Sequence, residues 1–353
     1  MIGTVVGVAA AGAAVGVAAE RMIFRRTRMS QTELMTEPFG KLPFDEAVTV
    51  PTLHGIDLYV ELVEPLGSGV DDPTLLFVHG FCLDMGTFHF QRRQLSSDGG
   101  YRMVFYDQPG HGRSTRLTEG EYTLEQLAQG LKDVLDSVVP NRPVVLVGHS
   151  MGGMTIMRLA SAYPEIFGTH VTGVVLISTS AGNLGDGALG LPDVLGRLSR
   201  QLLPLVSRTG GRTGSVIDAA RRAGTDLAWL LTRRYGFGAR KPDPVLVSYV
   251  ERMNERTSTE VVARYLRAIF AHAAYPALEH LARVPVLVIC GDADALTPLA
   301  HTEEICRALP KAELVIVPEA GHVALLERPD AVNDAIIDFL DRLRRRQLSP
   351  ESA

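Results

Sequence analysis

The chain has 353 residues, 46% of them apolar and 21% charged, the balance of an ordinary folded protein of one large domain or two small ones. Its formal net charge of -5 and pI near 6.1 exclude the electrostatic footprint of a nucleic-acid binder. Three scattered cysteines, Cys82, Cys290 and Cys306, form neither a disulfide framework nor a metal-ligand spacing.

Met1 to Ala19 contains no charged side chain and is built of Ile, Val, Ala and Gly with one Thr. As a helix it would be roughly 28 Å long, enough to cross a bilayer core. Glu20 follows, then Arg21, Arg25, Arg26 and Arg28. A signal peptide carries its positive charge before the apolar stretch, whereas here it comes after. We therefore expect residues 1–30 to be a membrane anchor inserting through 2–19, with everything behind the Arg cluster on the cytoplasmic side. An atypical signal peptide, or a disordered or docked tail, is the alternative. The pairs Gly3/Gly7 and Gly12/Gly16 are a weak signal for helix–helix approach.

Residues 31 to 45 read as a linker. Ala47–Thr52 and Ile56–Val63 read as strands of a hairpin turned at His54-Gly55. Thr74–His79 is a continuous apolar run ending in Gly80, the pattern of a strand buried on both faces. Strand-like Tyr101–Tyr106, helical Thr123–Val139, strand-like Pro143–Gly148, helical Met151–Tyr163 and strand-like Val171–Ser178 follow in alternation. After a long interval come a strand at Pro285–Cys290, a helix at Leu299–Leu309, a strand at Ala312–Val317 and a helix from Asp330 to Arg345. Its last turn carries Arg342, Arg344, Arg345 and Arg346, which suits the helix dipole. Alternating strands and helices imply an α/β fold, a mostly parallel doubly wound sheet covered on both faces.

Residues 181–283 break the alternation. Leu191–Val206 and Asp226–Leu231, with the single tryptophan Trp229, are helical in pattern, and Thr257 with Glu260 fits a capping box before a helix at Val261–Ala274. We expect a helical cap over 181–283, inserted into a core formed by 31–180 and 284–347.

The strongest chemical signal is Gly148-His149-Ser150-Met151-Gly152, placed between a buried strand and a helix. A nucleophile elbow needs small residues around the serine, because the sharp turn leaves no room for side chains. His79-Gly80-Phe81 ends an early strand, and Asp107-Gln108-Pro109-Gly110-His111-Gly112-Arg113-Ser114 follows the next. Gly291-Asp292-Ala293-Asp294-Ala295-Leu296-Thr297-Pro298 and Gly321-His322 each follow a later strand. Over roughly residues 47–345 these motifs, in this order, resemble the α/β-hydrolase family, in its serine esterase and lipase-like branch.

That resemblance implies Ser150 as nucleophile, His322 as general base and Asp294 as the acid that orients the histidine. Asp292 competes for the last role, but the family's G-x-x-D spacing from Gly291 selects Asp294. The backbone N–H groups of Phe81 and Met151 are the expected oxyanion donors, worth on the order of 3 kcal/mol each. His79 and His111 are expected to brace loops, His149 to pack under the elbow, Asp107 to organise its turn, and Cys82 to be a small loop residue. Asp186 is a remote alternative acid. No cofactor and no metal is implied.

Serine at the elbow argues against branches of the family that form an alkyl-enzyme ester on a carboxylate. The expected activity is hydrolysis of carboxylic esters or thioesters of apolar small molecules. A carbon–carbon bond hydrolase or a cofactor-free haloperoxidase is the alternative, and a non-catalytic binding protein is a more distant one. Neither the substrate nor the oligomeric state is legible at this stage.

Overall fold

The structure is a computed structural model, and it describes residues 33–65, 72–98, 100–184 and 232–348. The expected anchor at 1–30, the helical patterns at Leu191–Val206 and Asp226–Leu231, and Asp186 all lie outside the described residues. Among the described residues, no helix is long and apolar enough to cross a membrane.

Eight strands form one sheet: β1 (Glu46–Pro51), β2 (Asp57–Val63), β3 (Thr74–Val78), β4 (Met103–Tyr106), β5 (Val144–His149), β6 (Val171–Ile177), β7 (Val286–Gly291) and β8 (Glu313–Val317). Their order is β1-β2-β4-β3-β5-β6-β7-β8. The β1–β2 and β2–β4 pairs are antiparallel, and every pair from β4 to β8 is parallel. The expected hairpin is present, and Gly55 at its turn has φ +70°, a conformation side chains disfavour.

The helices are α1 (His89–Asp98), α2 (Leu124–Val138), α3 (Met151–Ala162), α4 (Pro244–Arg256), α5 (Thr259–Phe270), α6 (Leu278–Leu281), α7 (Leu299–Ala308), α8 (Ala324–Glu327) and α9 (Pro329–Leu348). Two apolar clusters occupy the two faces of the sheet. Alternate residues of one strand divide between them: Val144 and Leu146 join α2 and α3, while Val145 and Val147 join the α9 side. This period-two division is why the central strands read as unbroken apolar runs.

Helix α2 begins with a reciprocal capping box between Thr123 and Gln126. The box expected at Thr257 and Glu260 is not formed. Ser258 caps α5 and accepts from Val261 N, while Thr257 N donates to Asn254 O and so closes the helix before it. With α4 ending at Arg256, Thr257 is committed to that C-terminus. The helix also stops at Phe270, short of the expected Ala274, because Ala274 N donates to Ala181 O across the two crossings of the inserted segment.

Residues 33–45, expected as a linker, lie against the domain. Phe39 packs on His89, Phe90 and Tyr249, with ring centroids 4.7, 5.7 and 4.4 Å away. Glu37 meets His89 Nε2 at 2.8 Å and Arg93 at 2.5 Å. This arm therefore ties α1 of the core to α4 of the inserted segment.

Candidate active site

The parallel strands deliver their C-terminal ends to one edge of the sheet, and the turns that leave β3, β5, β7 and β8 meet there. Ser150 sits between β5 and α3 with φ 53° and ψ -117°, a left-handed turn unusual for a residue with a side chain. Its N–H donates to Ile177 O, and its carbonyl accepts from the Thr179 hydroxyl, so both flanks of the turn are tied to β6 and the residues after it. The glycines around it are dictated by space. A Cβ on Gly152 would stand 1.9 Å from Val78 O, and one on Gly148 would stand 2.8 Å from the Gly152 backbone.

His322 Nε2 lies 2.8 Å from Ser150 Oγ. His322 Nδ1 lies 3.1 and 3.0 Å from the two oxygens of Asp294. An ionised carboxylate only accepts, so Nδ1 carries the proton and the bare Nε2 faces the serine hydroxyl. Asp294 is buried and held on all sides. Its Oδ1 accepts from the N–H groups of Leu296 and Thr297, and its Oδ2 accepts from the Thr297 hydroxyl. Burial alone would raise the Asp294 pKa, but the neighbouring His322 and these hydrogen bonds outweigh it and hold it below its ordinary value. Asp292, the competing acid, is exposed to solvent.

The loop carrying Phe81 passes directly over the serine, since a Cβ on Gly80 would approach Ser150 Cβ to 3.1 Å and His149 Nδ1 to 2.8 Å. Met151 follows Ser150 as the first residue of α3, where backbone N–H groups have no partner within their own helix. Phe81 follows Gly80 in that loop, and Met151 follows Ser150 in the chain.

The loops are braced as the sequence predicts. Gln108 N donates to His79 Nε2 at 2.8 Å, and the Gln108 side chain donates to His79 O at 2.6 Å. Cys82 N donates to His111 Nε2, whose other nitrogen lies 3.0 Å from Pro109 O. His149 Nε2 lies 2.8 Å from His322 O, beneath the elbow. Burial pushes His79 down to about 4; burial, reinforced by neighbouring histidines, takes His111 and His149 to about 3. All three are neutral at pH 7. Asp107 accepts from Met85 N and Arg113 N, which organises its turn. Burial, with Asp84 beside it, pushes Asp107 up to about 7 against these two donors. Burial raises the Cys82 thiol to about 12, consistent with a structural loop residue rather than a nucleophile.

Three contributors were not read from the sequence. Thr297 fixes the carboxylate of Asp294, and its hydroxyl lies 3.4 Å from His322 Nδ1. Its place three residues after the acid is the signal that could have found it. Glu327 accepts from Gly321 N at 2.8 Å, Gly238 N at 3.0 Å and Ala239 N at 2.7 Å, so one carboxylate fastens the His322 loop to the inserted segment. Tyr265 of α5 donates to Pro109 O and packs 5.9 Å from the Phe81 ring. Glu327 and Tyr265 belong to no motif, and only burial of a polar group could have flagged them.

An open cleft of about 560 Å³ lies behind the loop carrying Phe81, lined by Lys41, Glu61, Asp84, Asp107, Arg113 and Arg256 among others. Ser150, Asp294 and His322 do not line it.

The chain belongs to the alpha/beta hydrolase fold family, whose profile matches residues 73–329. A 2-hydroxy-6-oxononadienedioate/2-hydroxy-6-oxononatrienedioate hydrolase of a Pseudomonas species is 29% identical over 251 residues, which cover 69% of this chain and 79% of that protein. The mouse sn-1-specific diacylglycerol lipase ABHD11 is 26% identical over 272 residues, covering 76% of this chain and 81% of that one. The solved structure of a thermophilic esterase from Thermogutta terrifontis shares the fold with a TM-score of 0.62 at 24% identity, over 85% of this chain and 99% of that one.

Proposed function

We propose that the protein is a serine hydrolase of carboxylic esters, with Ser150 as nucleophile, His322 as general base and Asp294 as orienting acid. The observation that carries this reading is the continuous line of hydrogen bonds from Ser150 Oγ through both nitrogens of His322 to Asp294. In the first half-reaction Ser150 Oγ attacks the ester carbonyl as its proton passes to His322 Nε2. Asp294 stabilises the imidazolium, and the N–H groups of Phe81 and Met151 receive the oxyanion. His322 then returns the proton to the departing alcohol, leaving an acyl group on Ser150. Water enters by the same route in reverse and releases the acid. Ester-cleaving relatives such as the mouse lipase support this chemistry.

A second reading, hydrolysis of a carbon–carbon bond next to a carbonyl, is favoured by the 29% identity to the Pseudomonas hydrolase. One experiment separates the two. The protein is titrated with a fluorophosphonate probe and then assayed with nitrophenyl esters of graded chain length, alongside Ser150→Ala. Stoichiometric labelling that vanishes in Ser150→Ala, together with ester turnover, is the expected result. Labelling without ester turnover transfers the assignment to carbon–carbon cleavage. Esterase activity that survives in Ser150→Ala overturns the mechanism itself.

A further inference from the structure

The two ends of the sheet are finished differently. At one end β1 ends in Pro51, a residue that discourages a further strand from adding. At the other end β8 (Glu-Leu-Val-Ile-Val) has neither proline nor lysine within it and, among the described residues, closes the strand order without a neighbour on its outer side. Leu314 and Ile316 are 41% and 45% exposed, two of the few large apolar side chains left open to solvent among the described residues. Both lie on the same face as Val288 and Cys290, with which they are in register.

The direction of the free backbone groups follows from one hydrogen bond. Asp292 N donates to Val317 O at 3.0 Å, so the Val317 carbonyl points toward β7. Successive residues of a strand direct their N–H and C=O groups to opposite edges. Val315 therefore also faces β7, and the backbone groups of Leu314 and Ile316 face outward. The outward set ends there. Ala312 N is already bonded to Leu309 O, and residue 318 is a proline with no N–H to offer.

We propose that β8 pairs antiparallel with β8 of a second copy of this chain, about a two-fold axis at Val315. This is the register in which both outward residues find hydrogen-bonding partners: Leu314 opposes Ile316 of the other copy, and Ile316 opposes its Leu314. Such pairs exchange both N–H···O bonds, four in all. A two-fold axis normal to the sheet keeps the same face up in both copies, so the four exposed apolar side chains form one cluster. The flanking charges match as well. Lys311 and Glu319 stand in the turns just before and just after β8, and the antiparallel arrangement brings Lys311 of one copy to the end of the paired strands where Glu319 of the other stands. Glu319 already pairs at 3.0 Å with Arg328 of its own chain and is otherwise open to solvent, so the second cation adds to an exposed site.

With two bonded residues per strand, the interface is small and the dimer is expected to be weak and concentration-dependent. The test is sedimentation of the full chain in a mild detergent across a series of about 1–100 µM. Wild type is expected to pass from monomer to dimer. Ile316→Lys brings two like charges beside the axis and is expected to weaken association by at least about tenfold, with Ser150 labelling unchanged. Lys311→Glu alone is expected to weaken it several-fold, and Lys311→Glu combined with Glu319→Lys to restore it. A chain that stays monomeric throughout overturns the proposal. So does an association indifferent to Ile316→Lys, which would arise from another surface such as the apolar N-terminus. Failure of the charge-exchanged double variant to recover overturns the antiparallel arrangement.

Discussion

Asp294 and Asp292 are two residues apart, yet only one of them meets His322, and the difference lies in which way each side chain leaves the turn after β7. Asp294 turns inward, where the N–H groups of Leu296 and Thr297 and the Thr297 hydroxyl converge on its oxygens. Asp292 points to water. An asparagine at 294 would keep its oxygen on the two backbone donors and turn its amide NH₂ toward His322 Nδ1. That nitrogen would then have to accept, forcing the proton onto Nε2 and removing the base from Ser150. Asp294→Asn is expected to lower kcat by about 10³–10⁴-fold while the fold persists, and Asp292→Asn to change it little. Steady-state kinetics on both variants check this; a loss under tenfold in Asp294→Asn would assign the orienting role elsewhere. The spacing from Gly291 singled out this acid within a family pattern. Thr297 stands in the same motif three residues on, but that its hydroxyl holds the acid needed coordinates.

At the scale of elements, the crossing of α3 over β3 explains why the elbow is written with glycine. The Gly152 position faces Val78 O and C, which are backbone atoms inside a central strand and cannot give way as a flexible side chain could. Gly152→Ala must therefore push α3 off the sheet or distort the elbow. We expect at least about 2–3 kcal/mol of destabilisation, read from urea unfolding monitored by circular dichroism. Wild-type stability in this variant would show that the helix shifts without cost. Sequence pattern located β1 to β8 and helices α2, α3, α5, α7 and α9 to within a few residues, because period-two burial and strand-ending glycines are local signals, but α1 and α4 were not read from it. It failed at Thr257. Two helices meet there with one residue between Thr257 and the next helix, and both candidate caps, Thr257 and Ser258, suit the chemistry. The preceding helix α4 claimed the first, which no pattern within α5 could reveal.

Across the whole molecule, the buried histidines set a direction for the effect of acid. His79, His111, His149 and His272 are held neutral with pKa values of about 4, 3, 3 and 4, against about 6.5 when unfolded. Below pH 6.5 the unfolded chain therefore binds more protons than the folded one, and stability falls as pH falls toward 4. Each histidine contributes a slope approaching about 1.4 kcal/mol per pH unit in that window. Asp107 acts in the opposite sense. Its pKa is raised from 3.8 to about 7, so it costs stability as pH rises between those values, offsetting one histidine of the four. The net expectation is a steep loss of stability from pH 6.5 to 4.5, seen as a falling urea midpoint. Equal midpoints at pH 7 and pH 5 would mean that these rings are hydrated or charged in the native state.

What the sequence by itself determined was encoded over short spans: the strand–turn–helix of Ser150, the hairpin at Gly55, and the strand and helix patterns whose alternation makes a parallel sheet. Each of these depends on residues a few positions apart, whose geometry the backbone alone nearly dictates. The tertiary structure decided the rest. It selected which loops touch, so that Glu327 fastens the His322 loop to residues 238 and 239, and Tyr265 supports the loop of Phe81. It folded residues 33–45 onto α1 and α4, and it turned the backbone groups of Leu314 and Ile316 outward at the open edge. These outcomes rest on pairs far apart in the chain, where a partner is set by the packing of the whole sheet rather than by any neighbouring residue.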